Sequence, residues 1–154
     1  MAAFSTSNQQ AGTATMSAAF KSFVGLTAAT ATLTSAAITD FSIGIDGTPA
    51  DNAQTWQAIR TTTSVGTGSS ATPSPTDLSK RASGMVSTVN LSAEPTITAE
   101  LWTMALNQRA SFRWIANPGS ELIVPATNLA GISVRGKSLT GYTGACTVQV
   151  AYNE

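Results

Sequence analysis

Along much of this chain the apolar residues recur at every second position, the period of an extended strand with one buried face. Between 38 and 45, Phe41, Ile43 and Ile45 share a face. Between 96 and 106, Ile97, Ala99, Leu101 and Thr103 alternate with Trp102 and Met104, which predicts a strand partly covered on both sides. The stretch 28–34 is β-branched at alternate residues, and 54–64 sets Trp56, Ala58 and Arg60 against Thr55, Gln57 and Ile59 before a threonine run. Both are patterns of strand, because β-branched side chains crowd a helix and fit a pleated surface. Further strands are predicted at 85–91, 110–116, 121–124, 130–135 and 145–152. The runs at 96–106 and 110–116, parted by the short polar Asn107-Gln108, read as a hairpin. Asp46-Gly47-Thr48-Pro49 has turn chemistry, and Asn117-Pro118-Gly119 places Pro and Gly where a type II turn needs them. About eight or nine short strands at intervals of roughly 8 to 12 residues predict an all-β fold, a two-sheet antiparallel sandwich of jelly-roll-like form.

The N-terminal quarter breaks the pattern. Residues 1–15 are small and polar, and Met16, Ala19, Phe20 and Phe23 then recur at helical spacing until Gly25, predicting a short amphipathic helical stretch. We read 1–25 as an extended arm, disordered alone and ordered on a partner through its anchors Phe4, Phe20 and Phe23. The sandwich domain then spans 26–154. Within it, 66–84 mixes Gly66, Gly68, Pro73, Pro75 and Gly84 with Ser and Thr, which predicts a long loop.

Charge narrows the function. The 154 residues carry 8 basic and 8 acidic side chains, and 10% are charged, well below the roughly one quarter of an average domain. Without a surplus of Lys and Arg, nucleic acid and anionic membranes are not expected partners. There is no histidine and one cysteine, so thiolate or imidazole metal sites, His-based triads and internal disulfides are not expected, and neither is a cofactor. The lone Cys146 suits a chain made in a reducing cytoplasm, and the N-terminus lacks a signal-peptide pattern. Zero net charge with 42% hydrophobic residues points to assembly, expected as a homotrimer through a sandwich edge or face.

Each chemical constellation has a structural alternative. Gly66-Thr67-Gly68 and Gly141-Tyr142-Thr143-Gly144 lack the Lys-Ser/Thr ending of a phosphate loop and read as turns. Gly-x-Ser-x-Gly and Ser-x-x-Lys are absent, which removes the usual serine hydrolases. Glu94, Glu100 and Glu121 could supply a glycosidase pair, but Arg109, Arg113 and Arg135 lie in the same half and read more simply as ion-pair partners of Glu100 and Glu121. Asp46, Asp51 and Asn52 miss the EF-hand spacing and read as turn caps. Trp56, Trp102 and Trp114 suit either a sugar-stacking platform or packing, and their mid-strand positions favour packing. The candidate partner-contact residues are Phe4, Phe20, Phe23, Arg109, Arg113, Glu121 and Arg135; no catalytic, cofactor or metal residue is assigned.

The run 107–132, from Asn107-Gln108-Arg109-Ala110 through Asn117-Pro118-Gly119-Ser120-Glu121 to Gly131-Ile132, resembles small structural proteins of tailed bacteriophages. Asp46-Gly47-Thr48-Pro49-Ala50-Asp51-Asn52 with Trp56 and Arg60, then Glu94-Pro95-Thr96, and the ending Tyr142-Thr143-Gly144 to Asn153-Glu154, resemble the same group in the same order. The resemblance covers about residues 38–154. It implies a non-enzymatic virion component with a jelly-roll-like sandwich, first of all a head decoration or cement protein on the capsid surface, with the major capsid protein as its partner. A tail or fibre component, and a carbohydrate-binding module contacting a host-surface glycan, are the alternatives.

Overall fold

The strong two-residue alternations become strands in the computed structural model, which describes residues 1–12, 14–138 and 144–154. In chain order these are β1 (Ala3–Ser7), β2 (Ala14–Thr15), β3 (Lys21–Ala28), β4 (Ala36–Ile45), β5 (Ala53–Thr61), β6 (Thr67–Ala71), β7 (Ser74–Pro75), β8 (Met85–Ala93), β9 (Ile97–Asn107), β10 (Phe112–Ile115), β11 (Leu122–Val124), β12 (Gly131–Ser138) and β13 (Ala145–Asn153), with a 3-10 turn at Asn8–Ala11. They form two antiparallel sheets. Sheet A runs β10-β4-β13-β1-β7, with β11 also on β4 and β2 also on β13; sheet B runs β6-β8-β3-β12-β5-β9. The all-β two-sheet sandwich expected from the pattern is the fold.

Between the sheets lies one core. Phe41, Ile43, Val148, Val150 and Tyr152 of sheet A meet Phe23, Val24, Leu26, Trp56, Val89 and Val134 of sheet B. In β4 the inward set shifts phase after Ile38, because Thr39 is left out of the pairing with β13 and the bulge brings Phe41 inward. Gly136 lies under Trp56: a Cβ there would meet the indole at 2.8 Å, so the large ring demands the missing side chain.

The N-terminal segment differs from the expected arm. β1 sits inside sheet A between β13 and β7, and Phe4 is 0% exposed and stacked on Tyr152 at 5.6 Å. Where β1 ends, the Asn8 side chain substitutes for backbone: its amide donates to the Cys146 carbonyl and its oxygen accepts from the Val148 N–H, each at 2.8 Å. The expected helix over 15–24 is instead the end of β2, a bend and the start of β3. The helical spacing arose by coincidence, since Met16, just after β2, and Phe23, in β3, each reach the one core. The boundary drawn at residue 25 falls within β3.

Three other expectations are corrected. Residues 29–34 turn rather than extend: the Thr32 and Leu33 N–H groups bond the Ala29 carbonyl, and Leu33 has φ +38°. The 66–84 segment contributes β6 and β7, so its backbone is ordered by pairing with β8 and β1 rather than by its own apolar content. The runs read as a hairpin part company, β9 entering sheet B and β10 sheet A. The type II turn stands, with Gly119 at φ +84° and the Ser120 N–H on the Asn117 carbonyl at 2.8 Å. The Gly141-Tyr142-Thr143-Gly144 motif, apart from Gly144, lies outside the described residues.

A further layer covers sheet B. The link Glu94-Pro95-Thr96 joins β8 to β9 across three intervening strands. Four chain steps reach at most about 14 Å, whereas four strand spacings in a flat sheet span about 19 Å. Sheet B therefore curls, and the segment 62–66 runs beside this link, with the Thr62 N–H on the Thr96 carbonyl and the Thr96 N–H on the Ser64 carbonyl. Ile59 and Leu91 are buried yet lie outside the inter-sheet core, as expected for side chains beneath such a strap.

Candidate interaction surface

The two sheets end together on one side of the sandwich, at β9 and at β10 with β11. Alternation along β10 sends Phe112 and Trp114 inward and Arg113 and Ile115 outward. The inward pair closes the gap between the sheets: Trp114 stacks on Phe41 at 5.1 Å, Phe112 on Trp102 of β9 at 5.1 Å, and Trp102 meets Phe41 edge-on at 5.3 Å. Trp56 is fully buried and donates from its indole N–H to the Gln54 side-chain oxygen at 3.2 Å. The tryptophans are thus packed against other rings, consistent with their mid-strand positions.

On the outer face, Arg113 donates to Asp40 at 2.9 Å, and the two line a shallow cleft with Ser42, Gln149 and Ala151. The hydrogen bond from Asp40, and then its charge, hold the exposed Arg113 guanidinium above its ordinary pKa. Beside this polar cleft the rim is apolar: Ile115 is 61% exposed on β10 and Ile123 48% exposed on β11. Arg60 of β5 donates to the Ile123 carbonyl at 3.2 Å and ties the two sheets at this side. Ile97, at the start of β9, is also exposed.

The predicted contact residues divide into three groups. Arg109, Arg113 and Glu121 do lie along this side, in the β9–β10 turn, on β10 and before β11. Phe4 and Phe23 are core residues, a correction to their role as partner anchors, because each fills the inter-sheet space of its own chain. Phe20, just before β3, and Arg135 of β12 meet on sheet B, where Phe20 covers the Arg135 guanidinium at 4.1 Å and the Lys137 ammonium at 4.5 Å. Arg135 is buried, which lowers its pKa, and it lies 3.9 Å from Glu100 and donates to Gln57 at 2.9 Å.

The expected pairing of Arg135 with Glu100 is therefore present, while the other partners differ. Arg113 takes Asp40, Arg109 takes Asp51 at 3.4 Å, and Glu121 accepts the Gly119 N–H of its own turn at 3.1 Å. Only Glu121 is satisfied within its own turn; Asp40 and Asp51 are distant in sequence from Arg113 and Arg109 and are brought beside them by the pairing of β10 with β4 and of β9 with β5. Glu94 accepts from both the N–H and the hydroxyl of Ser22 at 2.7 Å each, pinning the strap. Among the described residues no three His, Cys, Asp or Glu side chains gather into a potential metal site.

Two features were not foreseen. Asp40 and the exposed isoleucines carry no motif, and only the register of β10 and β11 on β4 brings them together. The carboxylate of Glu154 is also unexpected: its side chain is fully buried, takes the Gly84 N–H at 3.0 Å, pairs with Arg81 at 2.8 Å and accepts from Ser83, whose hydroxyl also bonds Tyr152.

Comparison with family models, with curated proteins and with solved structures finds no match for this chain.

Proposed function

We propose that the chain is a non-enzymatic structural protein of a tailed-phage virion, a decoration or cement protein that seats on the outside of the capsid and contacts the major capsid protein. The observation that carries this reading is the rim of exposed Ile97, Ile115 and Ile123 along one side of a sandwich with few charges. Exposed β-branched residues on a rigid sheet lose little side-chain entropy on docking, so they suit permanent contact with a neighbouring surface. The resemblance over residues 38–154 supplies the phage setting, and assembly in the bacterial cytoplasm followed by residence on the capsid accords with the reduced, buried Cys146. A glycan-binding role is less favoured, because Trp102 and Trp114 spend their faces on Phe112 and Phe41 instead of offering a flat platform.

The test is co-sedimentation of the purified protein with shells assembled from the major capsid protein alone. Saturable binding, weakened by Ile115→Asp with Ile123→Asp, is expected. Binding to tail preparations alone would move the protein to the tail, and binding only to host-surface glycans on an array would replace the structural reading with the carbohydrate one.

A further inference from the structure

The cleft beside the isoleucine rim has a definite polarity. Arg113, Ser42 and Gln149 lie directly opposite one another on β10, β4 and β13 and so share the outer face of sheet A; Ile115, Asp40 and Ala151 form the adjacent row. Arg113 reaches diagonally to Asp40 and bonds a single oxygen, Oδ2, through Nε and Nη2. Nη1 and the second N–H of Nη2 stay free on a side chain that is 64% exposed. The paired Asp40 presents no acceptor in return, because Oδ2 is occupied and Oδ1 is buried. The Ser42 hydroxyl and the exposed Gln149 amide make no hydrogen bond among the described residues. A guanidinium only donates. The one accessible charge in the cleft therefore calls for an acceptor, and Ser42 and Gln149 can turn donors toward the same ligand.

We infer that this cleft is a carboxylate-binding site, which takes an acidic side chain from the protein surface on which the rim seats. At about 220 Å³ it falls below the roughly 300–1,000 Å³ of pockets that enclose whole small molecules, and it suits one side chain. Ile115, 61% exposed beside Asp40, argues for a protein source: a free anion would leave it bare, whereas a docked surface covers it as the carboxylate enters. Asp40 assists in two ways. Its own charge is neutralised by Arg113, and the two bonds between them restrain the guanidinium before a ligand arrives, which lowers the ordering cost of binding. The site stands on this geometry; that the docked surface is the capsid's rests on the reading above.

Nitrogen–proton NMR of the full chain, following the Arg113 Nε–H and the Gln149 side-chain amide, tests the site with sodium acetate against sodium chloride at equal ionic strength. Acetate is expected to shift both signals along a saturating curve, and chloride neither. Arg109 is the internal control, since it is 61% exposed and paired with Asp51 but lies outside the cleft. Gln149→Ala, a change at an exposed side chain, should weaken acetate binding about two- to tenfold; Arg113→Gln should abolish the shift at Gln149. Shifts that stay linear, or an equal response at Arg109, overturn the proposal. Co-sedimentation with capsid shells then reads the partner: Arg113→Gln is expected to bind about tenfold more weakly than the wild type and with a smaller dependence on salt. Shells that bind Arg113→Gln as tightly as the wild type overturn the assignment to an acidic side chain. If acetate saturates the cleft while shells do not bind the wild type, the carboxylate site stands and the capsid reading falls.

Discussion

Replacing Phe4 by alanine tests whether the N-terminal segment is part of the domain or an appendage to it. Phe4 is fully buried, its ring stacks on Tyr152 at 5.6 Å, and its backbone pairs with Tyr152 on one side and Pro75 on the other. Truncation of a fully buried phenylalanine removes its transfer free energy and leaves a cavity, which together cost about 3 to 5 kcal/mol. The lost ring pair falls within that range because the cavity term already includes the vacated contacts. For a domain of this length each kcal/mol lowers the melting temperature by about 2 to 4 °C, so Phe4→Ala is expected to melt roughly 6 to 20 °C lower. Urea unfolding followed by tryptophan fluorescence gives the free energy directly, and an unchanged m-value would confirm that the same surface is exposed on unfolding. Deleting residues 2–12 should be more severe, because it removes a strand from the interior of sheet A. A loss below about 1 kcal/mol for Phe4→Ala, or a deletion that melts like the full chain, would refute this reasoning and return the segment to the role of an arm.

Glu154→Ala should cost about 1 to 3 kcal/mol, read by thermal melting, because it strips the Ser83 hydroxyl and the Gly84 N–H of their carboxylate. Gly66→Ala should destabilise by about 1 to 3 kcal/mol in the same assay, since Gly66 has φ +80° and a Cβ there would meet the Ala93 carbonyl at 2.5 Å. Burial pushes the Cys146 thiol up to about 12 from 9.0 and raises the Tyr152 phenol from 10.0. The unfolded chain therefore ionises first, so stability should be full below pH 9 and fall as pH climbs from 9 toward 12; a flat profile there would contradict it. A thiol reagent at pH 8 should leave native Cys146 untouched and label it on denaturation.

How much of this was legible in the chain depends on where each element finds its partners. β4, β5 and β13 were readable because alternation with large residues such as Phe41 and Trp56 records burial; β9 was readable as a strand, but the cover expected on both its sides is present on one alone, since Thr103, Ala105 and Asn107 are exposed. β1 was not: Ala3–Ser7 has one large apolar residue, and its order comes from pairing with β13, some 146 residues along the chain. β3 misled because the bulge opposite Val134 and Arg135 leaves Phe23 out of the pairing, so the adjacent Phe23 and Val24 both join the core and the period of two is broken. The false hairpin at 107–111 shows the same limit, since a short polar link is equally compatible with a return in one sheet and a crossing to the other. In the candidate surface, Arg113 and Glu121 were readable as charged residues flanking apolar runs, but the Asp40 partner depends on the β10–β4 register.

The most direct test of the capsid role is cryo-electron microscopy of purified virions from a host in which this chain is expressed during infection. The account predicts density matching a two-sheet sandwich on the outer surface of the head, seated by the side that carries Ile115 and Ile123. Virions with no such density on the head, while the protein remains in the cell lysate or sits on the tail, would contradict it.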